Sequence, residues 1–351
     1  MTNQLLQTAE KGYDIILGGG QFMDLSRSDT TQYALSVFDL SLRMHQLVPL
    51  DFLAHGIAVD PRNPERLVMC EKIGPGAAEV DLATLSLVRN IPTVEARYFY
   101  GHCAFSNDGS LLYATETYLD SKQGVIVIRD ADSLEVIGEF PSFGDSPHEC
   151  RIIDDGKTMV VTNGGGMLEG SSPNVAYIDI ESRTLVRQES LTNRMLNAGH
   201  FMVADDASLI VVSAPRAGLG IDNPGGVSIQ PGGKKMKSIT SPKKIVAGMQ
   251  GEALSVAVLR DIALVTHPGG NMLTFWSLSE RRFIRKVDLP GPRGVALTDD
   301  QRHFVVSFGG DASVVQIDAE SLEIVEGTLS QGSFLTGSHL HNWTTLIGRH
   351  H

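Results

Sequence analysis

Cysteine is scarce: three residues, Cys70, Cys103 and Cys150, with no CxxC pair among them. An odd count without paired spacing excludes a disulfide-stapled scaffold and a CxxC-type zinc site, and points to a reducing compartment. No run approaches the roughly 18 apolar residues that would span a bilayer, so no membrane insertion is expected. The opening MTNQLLQTAEKG has neither a basic n-region nor an apolar h-region, which predicts no signal peptide. The expected location is therefore cytoplasmic, or periplasmic if the sequence is a trimmed mature form. Basic charge is also short. Lys and Arg total 29 against 41 acidic residues, a net charge of −12, which leaves no general basic face for phosphates and argues against nucleic acid as a partner. Helical periodicity is not sustained anywhere, and neither GxSxG nor a Ser–His–Asp spacing occurs. NGGG at 163–166 and GGG at 18–20 open no helix, so they read as tight turns rather than phosphate cradles.

What the sequence does have is repetition. Seven strand-like segments start at His55, His102, His148, His200, Glu252, Arg293 and His339. They read HGIAVDP, HCAFSNDG, HECRIIDDG, HFMVADDAS, EALSVAVLRD, RGVALTDDQ and HLHNWTTL, at steps of 41 to 52 residues. That spacing is close to one four-stranded propeller blade. Each unit continues with a turn, a β-branched strand such as LVMCE or MVVTN, and a third strand. Strings of the form hydrophobic–x–D–x–x–[ST]–L then mark the hairpin into a fourth strand. The N-terminus supplies second, third and fourth strands without a first, and HLHNWTTLI at the C-terminus supplies a first strand without the rest. The expectation is an all-β, seven-bladed β-propeller, residues 1–351 as a single domain, closed by pairing of N- and C-terminal strands.

In a propeller the innermost strands surround one axis, so equivalent residues of successive blades meet. Five of the seven leading residues are histidines. The ends of the second strands give another set: Gly19, Glu71, Glu116, Asn163, Ala214, His267 and Phe308. Both rings are expected to border one end of the axial channel. Clustered neutral imidazoles are ligands for iron, zinc, copper or nickel rather than calcium or magnesium. The expected metal residues are His102, His148, His200, His339, His267, Glu116 and Glu149. His55, Asn163, Glu71, Glu252, Arg293 and His341 are expected to line the channel beside them, His55 ranking below the others because its neighbours are apolar. A polar ring that merely ties blade to blade would use the same positions, and Arg293 and Arg216 could hold a carboxylate of an organic ligand. Cys103 is expected to point away from the channel as a buried thiol.

The chain resembles the bacterial propellers catalogued as domain of unknown function 1513. The likeness lies in GHCAFSNDGSLLYATE (101–116), GVIVIRDADSLEVIGEFPSFGDSPHE (124–149), TNGGG (162–166), AGHFMVADD (198–206), SAPRAG (213–218) and the closing SHLHNW. The resemblance covers about residues 10 to 345. It implies functional positions at His102, Glu116, His148, Glu149, Asn163 and His200. Members are often exported and encoded near iron-acquisition proteins, which implies iron handling.

The leading expectation is a propeller that binds a transition metal, iron foremost with zinc or copper next, for uptake, storage or delivery. Its partners would be a metal ion or small-molecule ligand. A metal-dependent enzyme on the same axial site is the first alternative, either a mononuclear iron oxygenase in the manner of carotenoid-cleaving enzymes or a lactonase-like hydrolase. A protein-interaction scaffold is the second. Metal affinity is expected to fall below about pH 6, near the ordinary histidine pKa.

Overall fold

The computed structural model describes residues 13–23, 30–220 and 222–348. The opening MTNQLLQTAEKG, read above for export signals, lies outside the described residues. Seven antiparallel sheets succeed one another along the chain. Blade 2 is built from Ala54–Asp60, Asn63–Glu71, Ala77–Asp81 and Ser86–Asn90. Blades 3 to 6 repeat this inner-to-outer order, with inner strands Arg97–Phe105, Pro147–Ile153, Phe201–Val203 and Val256–Leu259. Blade 7 has three strands, Pro292–Leu297, His303–Phe308 and Ser313–Asp318. Its outer position holds only isolated bridges, Ile317 to Ile324 and Val314 to Ser330, where the sequence suggested a full fourth strand.

Blade 1 joins the two ends of the chain. His341–Asn342 pairs with Ile15–Met23, followed outward by Thr31–Asp39 and Met44–Leu50. The closure is shorter than HLHNWTTLI suggested, because the chain turns helical at Trp343–Gly348. Side chains complete the seam. Ile15 N donates to Thr344 Oγ1 at 3.1 Å, Asn342 Nδ2 donates to Leu297 O at 2.9 Å, and Trp343 Nε1 donates to Pro64 O at 2.8 Å. The expected hairpin motif is also explained. Asp39, Asp81, Asp130, Asp179 and Asp318 each accept backbone N–H groups two or three residues ahead, the Asx turn that lets Asp initiate a tight reversal.

The apolar core is divided into seven clusters among the described residues, one between each pair of adjacent blades. Strand side chains alternate between the two faces of a sheet. Both faces of a blade look at a neighbouring blade. Only the innermost edge faces the axis, and that edge decides which residues can reach a common point.

Candidate metal centre

Inner strands aim their leading residues at the axis through breaks in pairing. The register slips between Ala54 and Gly56, between Phe99 and Cys103, between Pro147 and Cys150, and between Pro292 and Val295. His55, His102, His148 and Arg293 sit in these four bulges. A bulge takes a residue out of the alternation and re-aims its side chain. His200 and Glu252 instead precede their strands, Phe201–Val203 and Val256–Leu259.

In blades 3, 4 and 7 a hydroxyl on the second strand occupies backbone groups freed by the bulge. Thr115 Oγ1 donates to His102 O at 3.0 Å and Ser307 Oγ accepts from Gly294 N at 3.1 Å. Thr162 Oγ1 accepts from Glu149 N at 3.1 Å and donates to Gly199 O at 2.6 Å. Thr266 Oγ1 donates to Arg293 O at 2.7 Å. The last two bonds cross from one blade to the next, beside the ring.

Ligand atoms of His55, His102, His148 and His200 all lie within 4.8 Å of one another, and all four residues are buried. His339 joins them: its Nε2 is 2.8 Å from His200 Nε2. Other Nε2–Nε2 separations are 2.7 Å for His148–His200, 3.1 Å for His55–His200 and 3.4 Å for His55–His148. His55 therefore stands at the centre of the group, not at its margin. Apolar sequence neighbours were a poor guide, because they face the inter-blade layers while the bulge turns His55 inward.

His200 defines the chemistry. Its Nδ1 lies 2.5 Å from Leu254 O. A carbonyl only accepts, so Nδ1 carries the proton and the Nε2 of the neutral ring is a bare lone pair. Three other Nε2 atoms crowd that single lone pair. One N–H can share it well; three cannot. Burial pushes His200 down to about 3, and drives His55, His102, His148 and His339 well below the ordinary histidine value. Neighbouring imidazoles and Lys72 reinforce the effect on His55 and His148. The rings are thus neutral at physiological pH. Within the folded state, proton competition for their lone pairs starts well below the pH 6 expected from an ordinary histidine.

The other expected residues are placed differently. Glu116 points between blades 2 and 3, where its Oε1 accepts from Arg129 Nη2 at 3.2 Å, and both side chains are buried. His267 lies inside blade 6 with Nε2 2.8 Å from Thr274 Oγ1. Asn163 bridges blades 3 and 4, bonded to Ser142 on the outer strand of blade 3 and to Asn174 of its own blade, and Glu71 accepts from Gly76 N across its own hairpin. Alternation explains Glu116, His267 and Asn163, whereas Glu71 follows Cys70. The hydroxyl one residue earlier faces the bulge, so the next side chain faces the opposite inter-blade layer. Glu149 is turned outward to Arg151 at 2.6 Å and accepts from Phe201 N at 3.0 Å. Glu252 lines a cavity with His148 and His200. Arg293 has a buried Nε without a partner. His341 lies beside the group, its ring 6.2 Å from that of His339. Cys70, Cys103 and Cys150 are free and buried.

Lys72 and Tyr100, which sequence reading passed over, flank the cluster: both line the cavity that reaches His148 and His200. Tyr100 stacks edge-on against His148 at 5.8 Å. A signal for the threonine clasps was present in the recurrent ATE, VTN and VTH endings.

Residues 48–342 match the family described as "Protein of unknown function (DUF1513)". The chain belongs to this family. No curated protein matches it in sequence. Among solved structures, Kuenenia stuttgartiensis hydrazine synthase is similar over 83% of this chain and 92% of its own, at 15% identity and TM-score 0.67. A chain of the mitotic checkpoint complex aligns over 78% and 75%, at 12% identity and TM-score 0.57. Dihydro-heme d1 dehydrogenase NirN in complex with DHE aligns over 95% and 69%, at 14% identity and TM-score 0.57. At these identities the likeness is one of fold. Among the described residues no helix is long and apolar enough to cross a membrane.

Proposed function

We propose that this DUF1513 protein binds one divalent transition-metal ion at the five-histidine axial centre, iron(II) foremost with zinc or copper next, for uptake, storage or delivery of the metal. The carrying observation is the lone pair of His200 Nε2 faced by three further Nε2 atoms at 2.7 to 3.1 Å. Metal–nitrogen bonds of about 2.1 Å would set two ligands about 3.0 Å apart at a right angle and about 3.4 Å apart at the tetrahedral angle. The separations sit close to that range, and a cation at their centre turns mutual crowding of lone pairs into ligation. The donor set is all imidazole, since Glu116 and Glu149 are tied to arginines, and such sets favour iron, copper, zinc or nickel. Five imidazoles exceed what a tetrahedral zinc site uses, which supports iron(II) as the first assignment.

The test is elemental analysis of protein purified without an affinity tag, alongside His200→Ala. The expected result is metal in fixed proportion to the chain in the parent and its loss in the variant. Parent protein that neither contains nor takes up iron, zinc or copper would overturn the proposal.

A further inference from the structure

Two cavities reach the histidine cluster from opposite ends of the axis. The wider, about 760 Å³, is lined by the trailing ends of inner strands, including Val59, Phe105, Ile153 and Val203, and ends at His102, His341 and Glu149. The narrower, about 240 Å³, lies at the leading ends and reaches His148 and His200 past Lys72, Tyr100 and Glu252.

Their charges differ. Glu149, Asp205, Asp206 and Asp261 line the wider cavity against only Arg151 and Arg260. In the narrower one Lys72 balances Glu252. A mouth lined with one sign of charge in low-dielectric walls concentrates ions of the opposite sign. At the inner end of the wider cavity, His102 Nε2 and His341 Nε2 are both buried without a hydrogen-bond partner, and His102 is 6% exposed. Buried polar atoms are rarely left so. These two lie between the acidic rim and the Nε2 group, and His341 contacts the His339 ring.

We infer that the wider cavity is the route by which the metal ion reaches the centre, with Asp205, Asp206 and Asp261 drawing it in and His341 and His102 receiving it. The inference rests on the metal-binding reading above. The hand-over is ligand exchange: an imidazole lone pair replaces a water of the hydrated cation, and neither electron nor bond to carbon is involved.

The probe is cobalt(II), added to chelator-stripped protein and followed by its visible absorbance in a stopped flow. Three variants are compared with the parent: Asp205→Lys at the wide mouth, Ala217→Lys at the narrow mouth, and His341→Ala inside. Asp205 and Ala217 are both exposed, so their substitution leaves the blades folded and protects the test should His341→Ala weaken the seam. Loading should slow about tenfold in Asp205→Lys at low ionic strength, the lower end of what electrostatic steering supplies. The deficit should shrink as salt shortens the Debye length to a few ångströms. His341→Ala should load more slowly to the same final occupancy, and Ala217→Lys should match the parent. Slower loading in Ala217→Lys than in Asp205→Lys, or equal rates in all four proteins, overturns the route. A parent that takes up no cobalt overturns the metal-binding reading itself.

Discussion

Acidifying the metal-free protein should unfold it over a narrow range below pH 6.5. Seven histidines, the buried His55, His102, His148, His200, His267 and His339 and the half-buried His341, all have folded-state pKa values below the ordinary 6.5. The unfolded chain therefore takes up protons first as pH falls. Each histidine's stabilising effect is complete above pH 6.5, and is lost progressively between that value and its folded pKa. His200 and His267 both stand at about 3. At pH 5 each shifts the folding equilibrium about 30-fold toward the unfolded chain, on the order of 2 kcal/mol. Those two together cost about 4 kcal/mol, near the lower end of the roughly 5–15 kcal/mol that holds a typical domain. The other five act with the same sign, so the midpoint should lie between about pH 5 and 6. The assay is far-UV circular dichroism with fluorescence of Trp276 and Trp343, both fully buried, in the presence of chelator. A bound metal holds the ligating rings neutral and should move the midpoint to lower pH. Chelated protein with the same thermal midpoint at pH 4.5 as at pH 7 would refute the reasoning.

Other outcomes follow from named contacts. The double substitution His148→Ala with His200→Ala should abolish metal content while leaving the far-UV spectrum unchanged, because both rings project from the inner edges of blades; full occupancy by elemental analysis would remove them from the centre. Glu116→Ala should leave metal content intact yet cost about 3–5 kcal/mol in denaturant unfolding, since it strands the buried Arg129; metal loss at unchanged stability would restore Glu116 as a ligand. Thr162→Val should cost about 1–3 kcal/mol through the unpaired Glu149 N–H and Gly199 carbonyl, and should weaken metal binding because those groups carry His148 and His200. Removing residues 336–351 should abolish the cooperative unfolding transition, as the strand that pairs with the inner edge of Ile15–Met23 among the described residues is lost.

The fold was legible because its signals are repeated. Blade length, the Asp-initiated hairpins and the complementary ends all agree, and each is a local chain preference that survives packing. The five histidines were legible for the same reason: they share a repeat position. What went astray was direction. Second-strand ends such as Glu116, Asn163 and His267 were expected at the channel because they come close to it along the strand. A residue's height in a blade is a matter of spacing, but its facing depends on pairing register, and four of the inner strands are bulged at the residue that matters. A bulge adds no distinctive residue type. In three of the four its trace is the threonine or serine across from it, which reads in sequence as one more strand residue, and across from the bulge at His55 stands Cys70.

The placement of His339 ties the centre to the closure of the ring. His55, His102, His148 and His200 belong to four successive blades, and His339 precedes the two-residue strand that seals blade 1. That seal has just two paired residues, Ile16 with Asn342 and Leu17 with His341. An ion held by His200 and His339 together would bind the closed ring and not an open one, so its binding free energy adds directly to the closure, by about 3 kcal/mol at a hundredfold excess over the dissociation constant. The coupling runs both ways. Any change that loosens the seam, such as loss of the Trp343 bond to Pro64 or of the Asn342 bond to Leu297, withdraws His339 from the centre and lowers metal affinity by the same factor by which metal would have tightened the seam. Trp343→Phe, which deletes one hydrogen bond and no ligand, should therefore weaken metal binding from outside the centre. Unchanged affinity together with a lowered unfolding midpoint would show that closure and centre are independent.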